Sequence, residues 1–472
     1  MIRGRTKALG RVLHIPAAIF APRRPLAALS ACSSTPGTRA GLRLASGRLD
    51  HEAHRLRRAG HGLAAGALAL LLAACGSTAD TGAGATGAGG IKTDKGVTDT
   101  TISLGIMGDT SGVFKNLGAA INAGNQLWVD DVNSKGGICG RQLKLEVVDH
   151  GYKADTAKTL YPQLEPKVLG IVQLLGSPVL AALKQNLIDD NMTAAPASWS
   201  SQILNNPNVM MIGTTYDLEI VNGLAYLQQQ GMIKDGDTIG HIYIDGEYGG
   251  NGLLGSKYYA GVHKLNVREA KITSTDNDLT NIVTGFKGDG VKAIVLTTTP
   301  GQSASALAAN QALALNVPVL GNNPTFDPAL LSTPAAGALG NLYVAASSAP
   351  FSSETPKAAE IAAAYKSKYA GSPLNGGVDV GYVEGLVWQA VLTKACENKD
   401  LSRAGVQTAL KSLNSVKTDD LVAELDYSSP GSPPTRGVYI AKVDAKAEGG
   451  LTEVAPLFTA PDVAGYKAPF QK

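Results

Sequence analysis

The chain is 472 residues long, 44% hydrophobic and formally +3 at neutral pH. That length exceeds one ordinary domain and suits two or three. The positive charge sits at the front: residues 1–75 hold 12 Lys and Arg against 2 Asp and Glu, and the remainder holds 30 against 37, an acidic body that lacks the basic face a nucleic-acid partner requires.

Residues 1–54 are rich in Arg, Pro and Ala without periodicity, which fits a start of translation nearer Leu49. Arg55-Leu56-Arg57-Arg58 is a basic cluster. Leu63–Ala74 is an apolar run too short to span a bilayer but suited to the core of a signal peptide. Leu72-Ala73-Ala74-Cys75-Gly76 resembles a bacterial lipoprotein box, in which the Cys75 thiol takes the lipid. The plainer alternative is a buried helix ending in an ordinary cysteine. Residues 76–98 read as a flexible Gly/Ser/Thr/Ala tether. Within it, residues 82–87 match G-x-G-x-x-G. No strand precedes the match and no periodic helix follows, so no phosphate cradle is expected.

From residue 101 strands and helices alternate. Strands are expected at Thr101–Met107, Gln142–Asp149 and Val168–Leu174, with helices at Leu117–Asn133 and Pro178–Asp190. Asn205-Asn206-Pro207-Asn208 and an extended Val209–Thr215 mark a boundary. The alternation resumes with strands Thr238–Ile244, Val267–Thr273, Lys292–Thr298, Val317–Leu320 and Asn341–Ala346, and helices Gly249–Lys264 and Gln302–Leu315. Helices at Pro356–Tyr369, Val378–Glu397 and Arg403–Leu413 follow, then strands at Leu421–Asp426 and Gly437–Val443. Apolar strands alternating with helices argue for two doubly wound α/β lobes, each with a parallel sheet of about five strands covered on both faces.

The order of segments is similar to that of the type I periplasmic binding proteins of the leucine/isoleucine/valine class, the substrate-binding components of ABC transporters. The resemblance covers roughly residues 99–460. It is carried by residues 107–112 (MGDTSG), 133–143 (NSKGGICGRQL), Leu175-Gly176-Ser177-Pro178, Ala195-Pro196-Ala197-Ser198 and Glu247-Tyr248-Gly249. It implies three hinge crossings, near Thr214–Tyr216, Ala345–Ala349 and Asp426–Pro434. Lobe one is then 99–214 with 348–428, and lobe two 215–347 with 429–472. It also implies closure of the lobes on a small-molecule solute, delivery to an ABC permease, a monomer, and tethering to the outer face of the cell membrane through the Cys75 lipid.

In open parallel sheets ligands bind beyond the carboxyl ends of the strands, at helix N-termini. Three lobe-one loops fit: Asp109–Phe114, with Asp109 and Ser111, then Gly176-Ser177, then Ala197-Ser198-Trp199. The Ser177 hydroxyl and the backbone of Ala197 and Ser198 are expected to clamp the polar end of the solute, with Phe114 and Trp199 as apolar walls and Tyr248 closing from lobe two. The plainer readings are helix capping by the serines, a core Trp199, and a Tyr248 packed in its turn. Amino-acid binders of this class usually carry a carboxylate after the strand matching Val317–Leu320. Here the residues are Asn322 and Asn323, and Thr299-Pro300-Gly301 stands at a second ammonium-holding position. An amide repays less of an ammonium's desolvation than a carboxylate does, so a carboxylate or amide-like solute is as plausible as an α-amino acid. Asp379 and Glu384, near Tyr382, are candidates to restore a negative charge. Their plainer reading is a solvated helix face.

Catalysis finds little support. His150, His241 and His263 form no metal-ligand spacing, no G-x-S-x-G elbow or Walker pattern occurs, and no cofactor is expected. Asp130-Asp131, Asp189-Asp190 and Asp419-Asp420 read as solvated faces. Cys139 and Cys396 remain in the exported body, where a disulfide is expected; the alternative is two free thiols. Two further functions stand behind solute transport: a ligand-sensing lobe for a membrane partner, and a hydrolase of small amides or esters.

Overall fold

The computed structural model describes residues 86–471, which lie within one compact unit. The signal segment, Cys75 and the first part of the tether fall outside the described residues. In chain order the elements are β1 (Lys92–Thr93), β2 (Thr101–Gly108), α1 (Lys115–Ser134), β3 (Gln142–Asp149), α2 (Ala154–Leu164), β4 (Gly170–Leu175), α3 (Ser177–Asp189) and β5 (Ala194–Ala197). Then come α4 (Tyr216–Gln229), β6 (Thr238–Ile244), α5 (Glu247–His263), β7 (Asn266–Ile272), α6 (Thr280–Gly288), β8 (Ala293–Thr297), α7 (Pro300–Ala312), β9 (Val319–Asn322) and β10 (Leu342–Ala346). The chain closes with α8 (Pro356–Lys368), α9 (Gly377–Glu397), β11 (Asp400–Leu401), α10 (Arg403–Lys411), β12 (Val438–Val443) and β13 (Leu451–Phe458). Among the described residues no helix is long and apolar enough to cross a membrane.

Two larger sheets organise the fold. The first has the order β3-β2-β4-β5 and is parallel throughout. The second has the order β13-β12-β10-β9-β8-β6-β7. It is parallel from β10 to β7, but β12 and β13 run antiparallel at one edge. The expected pair of equal five-stranded parallel sheets is therefore corrected to four and seven strands, with an antiparallel edge. The expected strand at Leu421–Asp426 does not form. That segment makes only isolated bridges, Ser348 with Val422 and Leu425 with Val416, because it runs beside the hinge rather than along a sheet edge.

Apolar strands bury on both faces, as crossover helices require. In the first lobe one hydrophobic cluster spans the sheet and includes Ile106, Leu174, Trp128 and Trp388. In the second lobe two clusters lie on opposite faces, one around Leu224 and Ile239, the other around Leu296 and Leu307. Helices α1 and α9 meet almost backbone to backbone. A Cβ on Gly124 would lie 2.0 Å from the Val378 carbonyl, and one on Gly381 would lie 2.0 Å from that of Ile121.

The chain passes from the first sheet to the second after β5, returns after β10, and crosses again before β12. At the hinge the Tyr427 hydroxyl donates to the Met211 carbonyl at 2.7 Å, tying the first crossing to the third. Buried Asp217 is a second knot. One carboxylate oxygen accepts from Ser201 Oγ at 2.6 Å, Asn251 Nδ2 at 3.0 Å and Tyr466 OH at 2.6 Å. The other accepts from the Thr215 hydroxyl and from the Leu218 N–H at 2.8 Å.

Candidate functional site: a cleft lined with tyrosines and serines

The carboxyl ends of β2, β4 and β5 and of β6, β8 and β9 carry the loops between the lobes. Each loop is shaped by its own sequence. Asp109 is fully buried and accepts the N–H groups of Ser111 (3.2 Å), Gly112 and Phe114 (3.0 Å), so it folds its own loop. Ser111 is exposed and bonds Asp149. The opposing loop opens α3 at Gly176, whose φ is +105° and where a Cβ would lie 2.7 Å from the Tyr152 ring, so both backbone and space require a glycine.

Around this point polar and aromatic groups converge. Ser177 Oγ and Ser198 Oγ lie 2.8 Å apart, both buried. The Tyr216 phenol lies close to both hydroxyls, and burial pushes it well above its ordinary range. Phe114 stacks edge-on against Tyr152 at 4.8 Å, and Tyr216 against Tyr248 at 4.9 Å. Tyr248 starts α5 in the second lobe yet packs into the hydrophobic cluster of the first, so the lobes meet here. Bonds around the rim agree: Asn116 Nδ2 donates to Asp327 Oδ1 at 3.3 Å, and Lys366 pairs with Glu448 at 2.9 Å.

On the second lobe, the Tyr248 hydroxyl donates to Asn322 Oδ1 at 3.0 Å and to the Thr298 carbonyl at 3.3 Å. Asn322 Nδ2 is left buried and without a partner. Nearby Glu219 is fully buried on α4. Its Oε1 accepts from the Ser347 N–H at 3.0 Å and from Ser347 Oγ at 3.1 Å, and its Oε2 makes no hydrogen bond. Burial drives its carboxyl well above the usual range, against the pull of the Ser347 bonds and of the Asn323 backbone N–H. Hydroxyl and amide groups thus converge among aromatic rings where the lobes meet, the mixture of apolar surface and a few placed polar groups that small-molecule sites use.

A family model for periplasmic binding proteins matches residues 101–449. The chain belongs to the periplasmic binding protein family. Among solved structures it is similar to a fatty acid ABC transporter substrate-binding protein from Thermomonospora curvata, at 39% identity, 82% of this chain, 99% of that one and a TM-score of 0.79. It shares its fold with a branched-chain amino acid ABC transporter protein from Thermus thermophilus with bound valine, at 19% identity, 78% of this chain, 99% of that one and a TM-score of 0.68. A leucine-binding protein from Thermotoga maritima matches at 16% identity, 77% of this chain, 100% of that one and a TM-score of 0.65. A comparison with curated protein sequences returns no match. The chain is thus a substrate-binding protein of the ABC-transporter type, from an extracytoplasmic family.

Within this binding protein the expected site residues separate into groups. Phe114, Gly176, Ser177, Ser198, Tyr248 and Asn322 come together. Asn323 is half-buried beside them, before a cis peptide to Pro324. Ala197 gives its carbonyl to the Gly176 N–H at 3.4 Å, holding two loops together. Trp199 is core, 2% exposed, with its indole N–H on the Pro196 carbonyl at 3.0 Å, so the plainer reading holds for it. The Thr299 hydroxyl caps α7 in a box with Gln302, and Ser177, against its plainer reading, bonds Ser198 instead of capping. Asp379 and Glu384 are buried, not a solvated face. Glu384 Oε2 accepts from Asn125 Nδ2 at 2.9 Å between α1 and α9, and Tyr382 reaches Asp131 at 3.1 Å, so neither joins the cleft group.

Cys139 and Cys396 sit as a bonded pair with Cα atoms 6.4 Å apart. His241 lies buried between Ser256 and Thr297, where burial pushes it down to about 3. Sequence reasoning missed Tyr152, Tyr216, Glu219 and Ser347. Position alone signals Tyr152, which follows the carboxyl end of β3 as the other loop residues follow their strands.

Proposed function

We propose that this binding protein captures an amphipathic carboxylate lacking an ammonium group, by closure of its lobes, and delivers it unchanged to an ABC permease. The observation that carries the reading is Asn322. Its Oδ1 is committed to Tyr248, and its Nδ2 is a buried donor with no acceptor. A buried donor left unmatched costs about 1–3 kcal/mol, and a carboxylate or carbonyl oxygen relieves that cost where an ammonium adds to it. Support also comes from the Thermomonospora curvata protein, which is named for fatty acids.

A second reading is a branched-chain amino acid, favoured by Glu219 Oε2, a buried oxygen free to accept from an ammonium. A thermal-shift panel of octanoate, leucine, leucinamide and octylamine separates the two. Octanoate is expected to raise the melting temperature in proportion to the logarithm of its concentration, and leucine is not. Stabilisation by leucine with no response to octanoate would overturn the first reading. Recovery of a hydrolysed product from an octanoate ester without any partner would favour a hydrolase.

Membrane tethering through the Cys75 lipid belongs to the same proposal. Cys75→Ser is expected to move the protein from the membrane fraction to the medium. Retention of the variant in the membrane fraction would defeat the anchor.

A further inference from the structure

Beside the tyrosine and serine cluster lies a cavity of about 70 Å³. Asn322 and Asn323 belong to its wall, and Asn322 also bonds Tyr248, so the cavity adjoins the tyrosine and serine cluster. The rest of the wall is mostly apolar, with Thr325, Ser348, Asn375 and Tyr439 as its polar members. Leu117 and Val380 come from the first lobe, and Phe326, Val344 and Leu451 from the second. The chamber therefore exists only when the lobes are together. Polar groups in its wall are spent on the protein's own backbone: Thr325 Oγ1 on the Asn322 carbonyl, Asn375 Oδ1 on the Gly377 N–H, and the Tyr439 hydroxyl on the Asp420 carbonyl. An occupant thus meets the Asn322 and Asn323 side chains at one end and a mostly apolar wall, with Ser348 and Asn375 in it, beyond.

We infer that this chamber receives the hydrocarbon tail of the solute, and that Ala346 and Phe351 set its length; the inference rests on the carboxylate reading above. Ala346 ends β10 and Phe351 stands in the segment after it, both in the chamber wall. At roughly 10–15 Å³ for each water-sized group, the space holds about five such groups. Affinity for straight-chain carboxylates then rises by about fourfold per added methylene until the chamber is full, and stops rising.

The test is calorimetric titration of the purified protein with butanoate, hexanoate, octanoate, decanoate and dodecanoate. The wild type is expected to show a break in the length series. Ala346→Leu narrows the chamber and moves the break to shorter chains, and Phe351→Ala widens it and moves the break to longer chains. Asn322→Ala weakens every length by a common factor, because it acts at the head. If no carboxylate of any length binds the wild type, the carboxylate reading falls. If carboxylates bind and the break stays in place in both Ala346→Leu and Phe351→Ala, the chamber assignment falls and the carboxylate reading stands.

Discussion

Two groups of buried acids differ in one respect. At the hinge, Asp217 is fully buried, and donors from the first crossing, α5 and the C-terminal segment converge on its two oxygens. On α9, Asp379 and Glu384 are buried as deeply, but Glu384 Oε1 and Asp379 Oδ2 have no hydrogen-bond partner. Burial drives both α9 carboxyls well above their usual range, only partly offset at Glu384 by the bond from Asn125. Depth alone therefore does not decide what a buried acid does. The supply of donors does: a saturated carboxylate is structural glue, and an undersupplied one is a cost carried by the fold.

The largest expected effect lies at the hinge. Asp217→Ala strands the Ser201, Asn251 and Tyr466 donors and is expected to lower stability by about 3–5 kcal/mol, since each buried donor left unmatched costs about 1–3 kcal/mol. Urea denaturation measures it, and a loss within experimental error would erase the contrast between the two groups. The smaller effect lies on α9. A carboxyl whose folded pKa is raised above its unfolded value contributes stability below the unfolded value, and that contribution is lost as pH rises toward the folded value. Glu384→Gln is therefore expected to stabilise the protein by about 1 kcal/mol near pH 8. The gain shrinks to nothing below the ordinary value of 4.5. Equal destabilisation at both ends of that pH range would mean that Glu384 is ionised and well supplied with donors.

Much of this architecture is legible in the residues. The alternation from Thr101 to Ala346 marks most strands, and the loops at Gly176-Ser177 and Tyr248 stand out because they follow strand ends. Helix α4 is not legible, for a physical reason. Every residue from Tyr216 to Leu227 is buried, so no polar face gives the helical period away, and Asp217, Glu219 and Asn222 sit inside rather than outside. With α4 unread, Tyr216 is read only as the end of a crossing and Glu219 falls in no expected element. Helix α2 is hidden by Pro162 in its last turn, and with it the role of Tyr152 at the preceding loop. Helix α6 is short and rich in Thr and Gly, and β13 carries Pro456 on an edge, where the ladder tolerates it. The departure at Asn322 is readable as a change of residue type, but the orientation of its amide depends on Tyr248, which is 74 positions away in the chain.

The glycine contact between α1 and α9 has a consequence for how the protein changes shape. Helix α1 begins one residue after Phe114 of the cleft, and α9 begins at Gly377 in the chamber wall. At Gly124 and Gly381 the two backbones touch, so at those points no side-chain rotamer is there to absorb a push. A load placed on one end of this pair is passed to the other as displacement, as through a welded joint. The first lobe thus offers the incoming solute an anvil, and the work of fitting falls to the second.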